Sequence, residues 1–336
     1  MGWVLNAPPE VDDESQYPTI IAICVVLSLI SMAGVSSRLW IRHRSRGLAS
    51  DDWMACLSMI FALAYAVLCI AQTRYGLGLP VASRPEENLV AYTKVNFAGR
   101  PIYQIGISFF KIALLISYLR LLQGTTQRTY RVIVYVTMVL VFLAHLGCAF
   151  SLIFACTPVE KSWNPLMEGS CLAPGPSFTA YAVVTIVSDI VVAVLPIPML
   201  LALNIQFEKK LGLIGIFALG LFTTVCSILR YLQINRIQHG DGNTTMLILW
   251  GVIEFNVGNL VSSLPFLAPI FIKKAKEYRS KQSSGSGSGG DKDKGGCIGF
   301  KSSEGYKLSD RGNTRSVFVS ADRTRGPTTS SIESML

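Results

Sequence analysis

The chain has 336 residues and a formal net charge of +9; 51% of it is hydrophobic and only 15% charged, with a mean hydropathy of +0.44. An ordinary soluble domain carries about 25% charged residues, so this composition excludes a soluble globular protein and indicates an integral membrane protein. From Lys273 onward there are 13 Lys and Arg against 7 Asp and Glu, so most of the basicity belongs to a tail and describes membrane topology and attraction to an anionic leaflet, not nucleic-acid binding.

Residues 1–17 form a short segment whose charges are the acids Glu10, Asp12, Asp13 and Glu14. It has neither the basic start nor the early apolar core of a cleavable signal peptide, and the first apolar stretch is expected to direct insertion itself. About 20 apolar residues cross the hydrocarbon of a bilayer, and seven stretches meet that length. They run approximately over 18–40, 52–72, 101–122, 132–154, 178–203, 211–233 and 246–272. The expectation is an all-α, seven-transmembrane bundle over 18–273, in a multi-pass protein whose first partner is the lipid bilayer.

Orientation follows from Lys and Arg in the short connections, which stay on the cytoplasmic side. Arg38, Arg42, Arg44 and Arg46 follow the first stretch, Arg120, Arg128 and Arg131 separate the third from the fourth, and Lys209 and Lys210 separate the fifth from the sixth. "KKAKEYRSK" follows the seventh. The N-terminus is therefore expected outside and residues 274–336 in the cytoplasm. That tail, beginning with "SSGSGSGGDKDKGG", is too polar to bury a core and is expected to be disordered. Together with the basic inner loops it offers a surface for a cytoplasmic signalling partner.

Charges inside the apolar stretches carry the chemistry. At 1.5 Å rise per residue, Lys111 lies about ten residues into the third stretch and Asp189 about eleven into the fifth, so both fall near mid-membrane and form a natural ion pair. Arg230 in the sixth stretch and Glu254 in the seventh lie closer to the outer face and form a second candidate pair. His145 on the fourth stretch and Asn256 on the seventh, with Asn259, Ser262 and Ser263, add further polar groups at membrane depth. Two readings fit them: pairs that fix helix positions, or a ligand or proton site opening outward.

The external connection "CTPVEKSWNPLMEGSC" holds Cys156 and Cys171, expected as a disulfide that fixes Trp163 over the mouth of the bundle; no His cluster accompanies them, so no metal is expected. Most other cysteines lie in apolar runs, as small hydrophobes. Asn243 opens the sequon "NTT" in a short loop poorly suited to a glycan. In "LPIPML", Pro196 and Pro198 are expected to kink the end of the fifth stretch. No phosphate-binding loop, zinc-protease signature or nucleophile elbow is present, and no inverted repeat supports a transporter.

Taken in order, "DDW" at 51–53, "YGLG" at 75–78, Lys111 followed by "YLR" at 118–120, "CTPVEKSW" at 156–163, Cys171, Asp189 with "LPIPML", "LG" at 219–220, "ILR" at 228–230 and Trp250 with Glu254 resemble the fungal rhodopsin-domain family of seven-helix integral membrane proteins. That group includes receptor-like proteins and members encoded in secondary-metabolite clusters. The resemblance covers about residues 18–273 and implies a seven-helix bundle and a receptor-like role. Retinal is not expected as a cofactor, because no lysine lies between Met246 and Ile272. The functional expectation is a receptor-like protein binding a small hydrophobic or amphipathic ligand in an outward-facing cavity. Its alternative is a membrane-embedded enzyme, or an accessory protein, of secondary metabolism.

Overall fold

The computed structural model describes residues 2–45, 47–121, 128–164, 166–197, 207–239 and 242–285. After the one-turn helix α1 (Pro9–Asp13) come the long helices α2 (Tyr17–Ser45), α3 (Ser50–Thr73), α4 (Leu89–Leu121), α5 (Arg128–Ile153), α6 (Pro174–Val194), α7 (Phe207–His239) and α8 (Thr245–Gly285). Five of them, α2, α3, α5, α6 and α8, each hold a segment long and apolar enough to cross a membrane, and a sixth such segment, Glu86–Arg120, runs along α4. The long side chains left open on their outer faces are apolar, among them Val26, Leu29, Val139, Leu143 and Val187. A bilayer is the solvent that such faces require. The chain is an integral, multi-pass membrane protein.

Helix α4 is the centre of the bundle: 72% of its most apolar window is buried, against 28% to 33% for α2, α3, α5 and α6. It lies against α3, α5 and α8, while α7 fills the space between α6 and α8, and α2 closes onto α3 and α8. Close approach of α4 and α8 depends on two glycines used reciprocally. A Cβ at Gly106 of α4 would stand 2.3 Å from the ring of Phe255, and a Cβ at Gly258 of α8 would stand 2.6 Å from the ring of Phe110. Each helix thus lodges a phenylalanine in the other's gap, and small residues of this kind allow membrane helices to approach backbone to backbone. Ser58 of α3 adds a polar tie to α8, donating to Asn259 Oδ1 at 2.6 Å.

Several element boundaries differ from the sequence expectation. Helix α4 starts at Leu89, 12 residues ahead of the expected start, with Pro101 inside it. A proline removes one backbone hydrogen bond, and membrane helices tolerate that where neighbouring helices enclose the site. Helix α2 runs on to Ser45, so Arg38 and Arg42 are helical, not loop, residues. Residues 198–206 and 286–336 lie outside the described residues, and with them Pro198 of the expected kink and the expected disordered tail.

One end of the bundle carries the N-terminal segment, the cysteine loop and the α7–α8 turn. Asp12 accepts from the backbone N–H groups of Trp3 and Val4 at 2.9 and 2.8 Å, and the Trp3 indole donates to Thr73 at the end of α3. Cys156 and Cys171 are disulfide-bonded and pair as a two-residue antiparallel ribbon. Trp163 within that loop packs in a tilted arrangement against Phe97 of α4, with ring centroids 5.0 Å apart, and its carbonyl accepts from Thr93. Asn243 accepts the N–H of Thr245 at 3.0 Å, capping the start of α8, so its amide is engaged in helix structure.

Replacing Gly106 or Gly258 by valine is expected to cost about 1–3 kcal/mol of stability through overpacking, read as a lowered unfolding temperature in detergent. Gly147→Ala, where an added Cβ meets nothing within 4 Å, is the matched control and is expected to leave that temperature unchanged or slightly raised.

Candidate functional site

Helix rotation brings Lys111 and Asp189 together. Lys111 Nζ lies 2.9 Å from Asp189 Oδ1 and donates to Ser188 Oγ at 2.7 Å, while the second carboxylate oxygen accepts from Ser227 at 2.6 Å. Both charged groups are therefore fully partnered, and α4, α6 and α7 are joined at one depth. A void of about 20 Å³ beside the pair has room for a single water.

His145 sits on top of this pair with no solvent exposure. Its Nδ1 is 3.0 Å from Gln104 Nε2 and its Nε2 is 3.1 Å from Ser188 Oγ. His145 Nε2 also lies 3.4 Å from Lys111 Nζ, and Ser188 Oγ accepts from Lys111. A continuous polar chain results: Gln104, His145, Ser188, Lys111, Asp189, Ser227.

Gln104 is also where that chain meets open space. A cavity of about 180 Å³ lies above it, lined by residues of α3 through α8. Its walls are mainly apolar and aromatic, with Tyr65, Tyr103, Phe178 and Tyr181, and two guanidinium groups, Arg100 and Arg230, enter it. Among the candidates drawn from the sequence, Arg230 lines the cavity; Lys111, Asp189 and His145 form the polar chain beneath it.

Arg230 and Glu254 pair loosely, Nε to Oε2 at 3.7 Å, and the guanidinium stacks 4.1 Å over the ring of Tyr103. Both oxygens of Glu254 are buried and make no hydrogen bond among the described residues. Asn256 donates back to the carbonyl of Val252 and leaves its own oxygen without a partner among the described residues. The two ion pairs thus differ in kind. One is saturated with hydrogen bonds in a nearly filled core, and the other is undersupplied at the edge of a cavity.

A third charged cluster, absent from the sequence-derived candidates, lies at the opposite end of the bundle. Arg38 binds Asp51 at 2.6 Å and Asp52 at 2.9 Å and also donates to the carbonyl of Ser262 on α8. Arg42 binds Asp51 at 3.0 Å, and Arg120 at the end of α4 binds it at 2.8 Å. Arg38, Asp51 and Asp52 are essentially without solvent exposure. The cue was the spacing: arginines one helical turn apart at the end of α2, a short connection, then adjacent acids in the first turn of α3, so both charge sets reach the same level. Counting arginines for orientation hid their neutralisation. Trp40 and Trp53, both exposed, flank this end as membrane-interface anchors.

The fungal rhodopsin domain matches residues 37–273, and the chain belongs to that family. It is similar to a SAT4 family membrane protein of Emericella nidulans, 27% identical over 62% of this chain and 53% of that protein. It is also similar to the receptor GIN3 of Arthrobotrys oligospora, 23% identical over 78% of this chain and 64% of the receptor. A third relative is the polyenoic acids biosynthesis gene cluster protein Ba17b of Metarhizium anisopliae, 25% identical over 81% of this chain and 78% of that protein. The chain thus spans less than two thirds of the length of the first two.

Removing one member of a buried pair costs about 3–5 kcal/mol, whereas replacing both by apolar residues of similar volume is close to neutral. Lys111→Met alone and Asp189→Leu alone are expected to lower the detergent melting temperature strongly, and the double variant to recover most of the loss. Recovery absent in the double variant would mean that the pair is not what holds α4, α6 and α7 together.

Proposed function

We propose that this protein is a seven-span, receptor-like membrane protein that binds a small amphipathic ligand in the cavity at the Arg100 and Arg230 end of the bundle. In this reading α7 supplies the seventh span, the N-terminus and the cavity face outward, and the α2–α3 turn and the chain beyond α8 face the cytoplasm. The observation that carries it is the cavity itself: an aromatic, mostly apolar space enclosed by six helices, joined through Gln104 to a polar chain that runs to mid-membrane. Binding sites of this kind are mainly apolar with a few placed polar groups. The similarity to a protein named as a receptor points the same way. The ligand is held without a covalent bond, since α8 offers no lysine before Lys273, and the charged cluster of Arg38, Asp51, Asp52 and Arg120 is the element through which helix movements reach the inner surface.

A second reading has its own support. A carboxyl group as isolated as Glu254, next to a cavity, has the surroundings expected of a general acid, and some relatives are named for biosynthetic gene clusters. Under it, Glu254→Gln or Asp189→Asn abolishes formation of a metabolite in the producing cell. Under the receptor reading, the same variants leave metabolite output in place and remove a response.

The direct test is a thermal-shift screen of the purified protein against lipid-like compounds and fungal metabolites. A ligand bound at a hundred times its Kd stabilises by about 2.7 kcal/mol. Gly99 lines the cavity, and Gly99→Leu projects a side chain into it; that variant is expected to fold and to lose the ligand-dependent shift. A shift that persists in Gly99→Leu would place binding elsewhere and overturn the reading.

A further inference from the structure

The cavity has a charge as well as a shape. Among the described residues two guanidinium groups line it, and no Asp or Glu does. Arg230 is offset by Glu254, at 3.7 Å. Arg100 has no such partner among the described residues: its Nε donates to Asn96 Oδ1 at 3.2 Å and its guanidinium lies 4.8 Å over the ring of Phe178. Both contacts are with neutral groups. A charge enclosed in a mainly apolar cavity without a counter-ion is costly and points to a ligand. The excess in the cavity is one positive charge.

Resting on the reading above, we propose that the ligand is a small amphipathic carboxylate, with its head between Arg100 and Arg230 and its apolar body against Tyr65, Phe178 and Tyr181. One negative charge balances the excess, whereas a dianionic phosphate would reverse it. The planar fork of arginine matches a carboxylate with two parallel hydrogen bonds. An apolar cavity of about 150 Å³ accepts benzene, so the 180 Å³ present here suits one ring or a short chain. Arg100 belongs to α4 and Arg230 to α7, so the ligand adds to the tie between these helices that Arg230 already makes over the ring of Tyr103.

The experiment uses three probes of one shape on the full chain in a neutral maltoside detergent at pH 7: 3-phenylpropanoate, 3-phenylpropanol and 3-phenylpropylamine. Saturable stabilisation against heat by the carboxylate alone is expected. In Arg100→Gln its Kd is expected to weaken about 10- to 100-fold, the range for loss of a charged hydrogen-bonding partner, with partial recovery in Arg100→Lys. Should Arg100→Gln fail to give homogeneous protein, the three probes on the unaltered chain decide the matter. Equal binding of the alcohol, or preference for the amine, overturns the anion assignment and leaves the cavity reading intact. No binding by any probe also overturns it, while a neutral ligand found in the metabolite screen would keep the receptor reading.

Discussion

An ionised group inside a bilayer-spanning bundle is costly without a partner, and that constraint organises this structure more than any other. Transfer of one uncompensated charge to the middle of a membrane helix costs about 2.5–3.5 kcal/mol even on lenient scales. The chain meets the requirement three times, at three depths, with three degrees of completeness. Arg38, Asp51 and Asp52 interlock at one end, Lys111 and Asp189 saturate each other in the middle, and Arg230 meets Glu254 only loosely near the other end. Only the middle pair is saturated with hydrogen bonds. Glu254 keeps both oxygens buried and without a hydrogen bond among the described residues, while its partner Arg230 lines the cavity.

The polar chain through His145 gives the cavity a physical route to the core. Gln104 belongs to both the cavity wall and the hydrogen-bonded series that ends on Asp189 and Ser227. In the proposed reading, a ligand that displaced Gln104 would reach the imidazole and, through Ser188, the ammonium of Lys111. Lys111 joins α4 to α6, and Ser227 joins α6 to α7, so these helix contacts are the ones such a ligand would act on. Coupling of this sort needs an element with two arrangements, biased by the ligand.

Much of this was legible in the residues. Composition indicated the class, and each apolar stretch fell on a helix, although the bounds of α4 and α8 differ from the expected ones by 12 residues or more. The depths of Lys111 and Asp189 foretold their contact, because a membrane leaves so few alternatives for either charge. Two things were not legible. The length of α4 was hidden by Pro101 and by the polar residues between Leu89 and Arg100, which read as a loop although Asn96 and Arg100 line the cavity and Thr93 bonds to the cysteine loop. The arginines near Ser45 read as loop charge because a count along the chain does not show that Asp51 and Asp52 fold back onto them. Arg100 was missed for the first reason: it stood outside the expected helix, so its exposure to an intramembrane space could not be inferred.

The interlocked rings of α4 and α8 bear on how such a molecule can move. With Phe255 seated at Gly106 and Phe110 seated at Gly258, sliding one helix past the other by a turn would drive a benzyl group into backbone. The register of the two helices is therefore fixed by shape as well as by hydrogen bonds. Arg100 stands on a helix of this locked pair and Arg230 on α7, outside it, so the two cavity arginines keep their spacing only as long as α7 keeps its place.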